Sequence, residues 1–194
     1  MLALDARVTL RPADAEPRRL AIRPYPSGLE RTIATRDGRA FPTRPIRPTD
    51  AFLLAQMTAR SSPEDLRLRF LGPVTELAEE AAARLTQIDY DREMAFVAFE
   101  PNSGAMAGLA RLIGDPNNEN AEFAVMVRSD LKGQGLGYGL LSALIAYARS
   151  RGLRRLRGEV LRGNAAMLEL ARALGAGIED AGETAMRATF DLQA

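Results

Sequence analysis

Between Val127 and Leu141 the chain reads Val-Arg-Ser-Asp-Leu-Lys-Gly-Gln-Gly-Leu-Gly-Tyr-Gly-Leu-Leu, with glycine at every second position from Gly133 to Gly139. Alternating glycines let the main chain curl until several backbone N–H groups point into one concavity, and a helix starting there adds partial positive charge. Such a nest binds anions, and a pyrophosphate fits it. The residues available to it are Lys132, Gly133, Gln134, Gly135, Leu136, Gly137 and Tyr138. Two other phosphate loops are excluded. A dinucleotide fingerprint needs a third glycine where Tyr138 stands, and a nucleotide P-loop needs a Gly-Lys-Ser/Thr triplet that occurs nowhere. The bland alternative is a flexible strand-to-helix turn, in which Gly137 and Gly139 would each cost a helix about 1 kcal/mol.

The chain has no His and no Cys. That removes Ser-His-Asp and Cys-His pairs, disulfides, and zinc sites built on imidazole or thiolate, so no metal is expected. Proton transfer falls to a carboxylate, a Tyr, relayed water or Lys132, the one lysine in the chain. Upstream of the loop, Ala121 to Val127 alternates so that Phe123, Val125 and Val127 share one face while Glu122 points to the other. Glu122 is the candidate general base; a solvated acid beside Glu119 is the plain alternative. Asp89, Asp91 and Glu93 form a second acidic group that would favour an incoming amine, or a solvated turn. Arg149, Arg151, Arg154, Arg155 and Arg157 read as a solvated face or a source of one phosphate-binding cation. Arg67 and Arg69, beside Phe70, are weaker candidates for touching a substrate.

These residues need a frame. Thr32–Thr35 and Ala40–Arg47 flank Asp37-Gly38 and predict a hairpin, after which Thr49 is expected to cap a helix. Ser62-Pro63-Glu64-Asp65 predicts a short helix to Phe70, and a longer one is expected from Glu76 to Gln87. Glu93–Glu100 and Met106–Ile113 read as a second hairpin, followed by the Ala121–Val127 strand. Helix 135–151, strand 154–160, helix 164–174, with Met167, Leu170, Ala171 and Leu174 inward, and strand 186–192 complete the order. The fold class is α/β (α+β), a mixed, mostly antiparallel sheet flanked by helices. Residues 1–30 show no sustained periodicity and read as an N-terminal arm or linker, with the compact domain spanning 31–194.

The formal net charge of +1 argues against nucleic acid as the main partner. No stretch approaches the roughly 20 apolar residues of a membrane span, so no membrane partner is expected and a cytoplasmic location is the default.

The loop resembles the Gln/Arg-x-x-Gly-x-Gly/Ala signature of the GNAT superfamily of N-acetyltransferases, with Lys132 at its first position. Glu159 to Met167 is similar to the family's second coenzyme A segment, whose Asn, here Asn164, contacts the coenzyme; Asn164 is equally an ordinary helix N-cap. The resemblance widens over Ile46-Arg47-Pro48, Asp65 to Pro73, Leu85 to Met94 and Asn120 to Val125 to the acetyltransferase domain of bacterial Pat-type protein lysine acetyltransferases. Residues 19–26 are similar to the junction with an upstream region in that family, so 1–30 reads as a linker from a missing region. The resemblance implies a GNAT fold, acetyl-coenzyme A as cofactor, and acetylation of a protein lysine, typically in an AMP-forming acyl-coenzyme A synthetase. It implies Glu122 as the catalytic carboxylate. The strand backbone Val125, Met126 and Val127 would meet the pantetheine arm, with the Val125 N–H stabilising the oxyanion. Where the family often has a Tyr to protonate the leaving thiolate, this chain has Ala171. Small-molecule amine acetylation and non-catalytic acyl-coenzyme A sensing are the alternatives; the first changes only the acceptor cleft, and the second would tolerate loss of Glu122.

Overall fold

The computed structural model describes residues 23–72 and 77–193. Its elements are β1 (Arg31–Ala34), β2 (Ala40–Pro45), α1 (Ala51–Ala59), α2 (Pro63–Phe70), α3 (Glu79–Thr86), β3 (Glu93–Phe99), β4 (Met106–Gly114), β5 (Asn120–Val127), α4 (Leu136–Ser150), β6 (Arg155–Leu161), α5 (Ala165–Ala173), β7 (Gly177–Asp180) and β8 (Ala185–Asp191). The strands form one sheet in the order β1-β2-β3-β4-β5-β6-β8-β7. Every pairing is antiparallel except β5 with β6.

Helices cover both faces, as a two-sided apolar sheet requires. On one face α4 buries Leu140, Leu141, Leu144 and Ala148 against Phe96, Phe123 and Leu156, and α5 adds Leu168 and Ala171. On the other, Leu54 and Met57 of α1, Leu66 of α2 and Ala82 of α3 cover Ala95, Val97, Leu109 and Met126. Each fully buried Leu contributes about 1.5–3 kcal/mol, so α4 is held mainly by its apolar stripe.

The β4–β5 turn is fixed by Asp115, whose carboxylate accepts the N–H groups of Glu119 and Asn120 and the side-chain amide of Asn120. This turn sets the register that carries Glu122. The start of α2 is as expected, with Ser62 Oγ accepting the Asp65 N–H at 3.1 Å.

Three local expectations change. A 3-10 turn, Pro48–Asp50, precedes α1, and Asp50 rather than Thr49 organises it. The buried Asp50 carboxylate accepts the Arg47 N–H and both terminal nitrogens of the Arg44 guanidinium, each at 2.7 Å. The third helix starts at Glu79, its expected residue 76 lying outside the described ones. Strand β7 was not foreseen: short, charged and mostly exposed at the sheet edge, it lacks the apolar alternation that marks a strand. Of the proposed arm, residues 1–22 lie outside the described residues, whereas Tyr25 packs edge-on against Tyr90 at 5.9 Å and Arg23 pairs with Asp91 at 2.8 Å.

Candidate active site

The site originates where two strands part. β5 and β6 pair only over Asn120–Arg155, Ala121–Leu156 and Glu122–Arg157, although β5 continues to Val127 and β6 to Leu161. Just beyond, Gly158 of β6 leaves room for the Phe123 ring; a Cβ there would stand 2.7 Å from it. A cleft of about 440 Å³ opens along the diverging stretch, with Phe123 to Val127 on one wall and Glu159, Val160, Asn164, Met167 and Leu170 opposite. Met167 and Leu170 pack against the core but are only partly buried, because they also line this cleft.

The ladder decides which backbone groups face the gap. The Arg128 N–H bonds to the Ala107 carbonyl and the Asp115 N–H to the Asn120 carbonyl, so the hydrogen-bonded partners of β4 include Glu122, Ala124 and Met126. Phe123, Val125 and Val127 alternate with them and turn their N–H and C=O groups away from β4, towards the gap that β6 has left. Val125 thus turns its N–H into that gap. Met126 turns its side chain to the α1–α3 face and its backbone to β4, so it contributes a wall and not a donor.

The glycine loop closes the same end. Arg128, 1% exposed, forks onto Asp130 at 2.6 and 2.9 Å and reaches Glu100 at 2.6 Å, pinning the turn before the loop. Gly133 and Gly135 take φ of +75° and +95°, the left-handed region that L side chains resist, and Leu136 buries itself as α4 begins. Gly133, Gly135, Gly137 and the half-exposed Tyr138 line the cleft. Gly139 serves packing: a Cβ there would meet the Ile33 methyl of β1 at 2.3 Å. Asn164 holds both of its expected roles open at once. Its Oδ1 accepts the Met167 N–H at 3.2 Å as N-cap of α5, and the residue lines the cleft.

Lys132 is engaged. Its ammonium pairs with Asp65 of α2, whose carboxylate also accepts the Ser129 hydroxyl. Burial pushes the Asp65 carboxyl up, but the bonds from Lys132 and Ser129 outweigh it and hold the group below its ordinary value. The sequence reading missed Asp65 and Ser129; the link joins positions 64 and 67 residues apart, which no local pattern reveals.

Glu122 lies at the last paired position before the split, exposed, beside the cleft rather than in its lining, with no side-chain hydrogen bond or ion pair among the described residues. Its pleat partners Ala124 and Met126 place it on the α1–α3 face. That face of the cleft is completed by Asp65, Leu68 and Arg69. Arg67, by contrast, is exposed and forks onto Glu64 of its own helix. Arg69 is half-buried, and burial together with the Arg111 guanidinium pulls it down to about 10, leaving it cationic at neutral pH. Arg111 is itself paired with Glu93.

The acidic pair expected near the acceptor does not line the cleft. Asp91 is held by Arg23 and Arg151, and the Asp89 carboxylate accepts the Asp91 N–H, so both stabilise the turn before β3. Arg149, Arg151, Arg154, Arg155 and Arg157 also stay outside the cleft lining. One cation that does line it was not foreseen: Arg36, from the β1–β2 turn. No group of His, Cys, Asp and Glu among the described residues could hold a metal, and none of their helices is long and apolar enough to cross a membrane.

The comparisons agree with this geometry. Residues 43–177 match the model of the acetyltransferase (GNAT) domain. An acetyltransferase of Pseudomonas aeruginosa is 35% identical over 141 residues, covering 72% of this chain and 76% of that protein. An L-methionine sulfoximine/L-methionine sulfone acetyltransferase of the same species is 48% identical over 54 residues, 28% of this chain and 31% of the relative. Among solved structures, the GNAT domain of Streptomyces lividans PAT superposes with a TM-score of 0.80 at 28% identity, covering 87% of this chain and 99% of that one. The chain belongs to the GNAT family and is an acetyltransferase, and acetyl-coenzyme A is the family's acyl donor. The donor set fits that molecule: unpaired strand N–H groups for an amide-bearing arm, left-handed glycines for a pyrophosphate, and an apolar wall for the rest.

Proposed function

We propose that this chain moves the acetyl group of acetyl-coenzyme A directly onto a lysine side chain of another protein, an AMP-forming acyl-coenzyme A synthetase. One observation carries the reading: the cleft is lined from both faces of the sheet where β5 and β6 part, and Glu122 stands beside it at the last paired position. The loop and α5 serve the donor on one face. On the other, a long side chain can enter between α2 and β5. An ammonium entering there gives one proton to Glu122, directly or through water; the freed nitrogen then forms the N–C bond and releases its second surplus proton to water as the C–S bond breaks. The Val125 N–H faces the oxygen that gains charge. Ala171 is fully buried and has no proton to give, so the leaving thiolate takes its proton from solvent. The sequence resemblance to Pat-type protein lysine acetyltransferases supports a protein acceptor, and the likeness to the S. lividans PAT domain is in line with it.

Arg69 favours a second reading, a small amine that carries its own carboxylate, in line with the name of the P. aeruginosa relative. Incubation with acetyl-coenzyme A and a purified AMP-forming acyl-coenzyme A synthetase, followed by peptide mass mapping, separates the two. The proposal predicts acetyl-lysine on the synthetase and falling synthetase activity. An unmodified synthetase alongside acetylated free amino acids would overturn it.

A further inference from the structure

We propose that Arg36, at the tip of the β1–β2 hairpin, supplies the side-chain cation for the coenzyme's pyrophosphate, the role that Lys132 holds by position in the loop. The inference rests on the family's use of acetyl-coenzyme A and is independent of which amine accepts the acetyl group.

Lys132 also lines the cleft, but its ammonium is paired there with Asp65. Its partner Asp65 has a side chain only 12% exposed, so withdrawing the ammonium would strand a largely buried carboxylate. Arg36 has no such tie. The adjacent acid in the chain, Asp37, is taken by the Thr35 hydroxyl at 2.6 Å and the Arg39 guanidinium at 2.8 Å. Arg36 then makes no ion pair among the described residues. Its backbone is fixed nonetheless, because its N–H donates to the Gln134 carbonyl inside the loop at 3.0 Å.

Position follows from packing. Ile33 of β1 seats against Gly139 of α4 at a distance only glycine permits, which brings the hairpin tip over the loop. There the Arg36 side chain crosses Gly135: a Cβ built on that glycine would lie 3.5 Å from Arg36 Cγ and 4.0 Å from Nε. The stem thus rests on the loop, and the residue lines the cleft together with Gly133, Gly135, Gly137 and Tyr138. A guanidinium matches two phosphate oxygens with parallel N–H bonds, which an ammonium cannot do. The hairpin therefore restores the forked cation that the loop lacks at Lys132.

The test is calorimetric titration of the whole chain with coenzyme A and with its 3′-dephospho form. R36Q is expected to weaken coenzyme A binding by about tenfold or more, R36K by less, and K132A by about twofold. The R36Q loss should persist with the dephospho compound, which retains the pyrophosphate. The melting temperature of R36Q should match wild type, since the side chain is exposed. Wild-type affinity in R36Q, or a larger loss in K132A, overturns the proposal. A loss that vanishes with the dephospho compound also overturns it, by moving Arg36 to the 3′-phosphate. Wild-type chain that binds no coenzyme A overturns both this assignment and the acyl-donor reading.

Discussion

The two sides of the split sheet are built from different materials. On the α4–α5 side the donors are backbone groups, the N–H groups of Val125 and Val127 and the loop around Gly133 and Gly135, fixed by a strand ladder and a helix start. On the α1–α3 side the groups beside the gap are side chains, Glu122, Arg69 and Leu68, and two of the three stand on an eight-residue helix. Backbone donors cannot be exchanged without refolding the loop, which suits a donor molecule of fixed structure. Side chains on a short helix can be replaced one by one, which suits an acceptor that differs between relatives. Asp65 joins the two sides, because it stands on α2 yet holds Lys132 of the loop.

That contrast can be broken in graded steps. Gly139→Val should have the largest effect, because its Cβ would collide with buried Ile33; overpacking costs about 1–3 kcal/mol, or roughly 2–10 °C in melting temperature. The hairpin should then lift from the loop and coenzyme A affinity should fall several-fold; an unchanged affinity would separate the hairpin from the coenzyme side. Asp65→Asn should cost about 1–2 kcal/mol at neutral pH. Because the folded carboxyl is held below its ordinary value, its stabilisation is present above the unfolded pKa of about 4 and is lost as pH falls through the lower folded value. Thermal melts of wild type and variant should therefore differ at pH 7 and converge in acid; a constant difference would remove the ionic link. Arg69→Met should raise the acceptor KM about fivefold, equivalent to about 1 kcal/mol, with coenzyme A affinity unchanged. Equal losses for both substrates would place α2 on the coenzyme side.

The same contrast explains what the sequence revealed. The glycine loop, the Glu122 strand and the α4 stripe were legible because each is a local pattern whose consequence is backbone geometry. The antiparallel run and the strand that pairs with β5 were legible from element order. The split itself was not, since it lies between two strands that the loop and α4 separate in the chain, with Gly158 packed against the Phe123 ring where the pairing ends. Nor was the engagement of Lys132 by Asp65, or the arrival of Arg36, because both join segments distant in the chain. Asp89 and Asp91 carried the acidity of an acceptor rim, but Arg23 and Arg151 hold Asp91 outside the cleft, and a charge run does not disclose its partners.

Glu122 is where the two sides meet, and Glu122→Gln tests it most directly. Turnover should be measured from pH 6 to 9 with acetyl-coenzyme A affinity determined in parallel. Loss of a general base predicts turnover about a hundredfold or more below wild type across that range, with affinity unchanged. Turnover close to wild type at every pH would contradict the account.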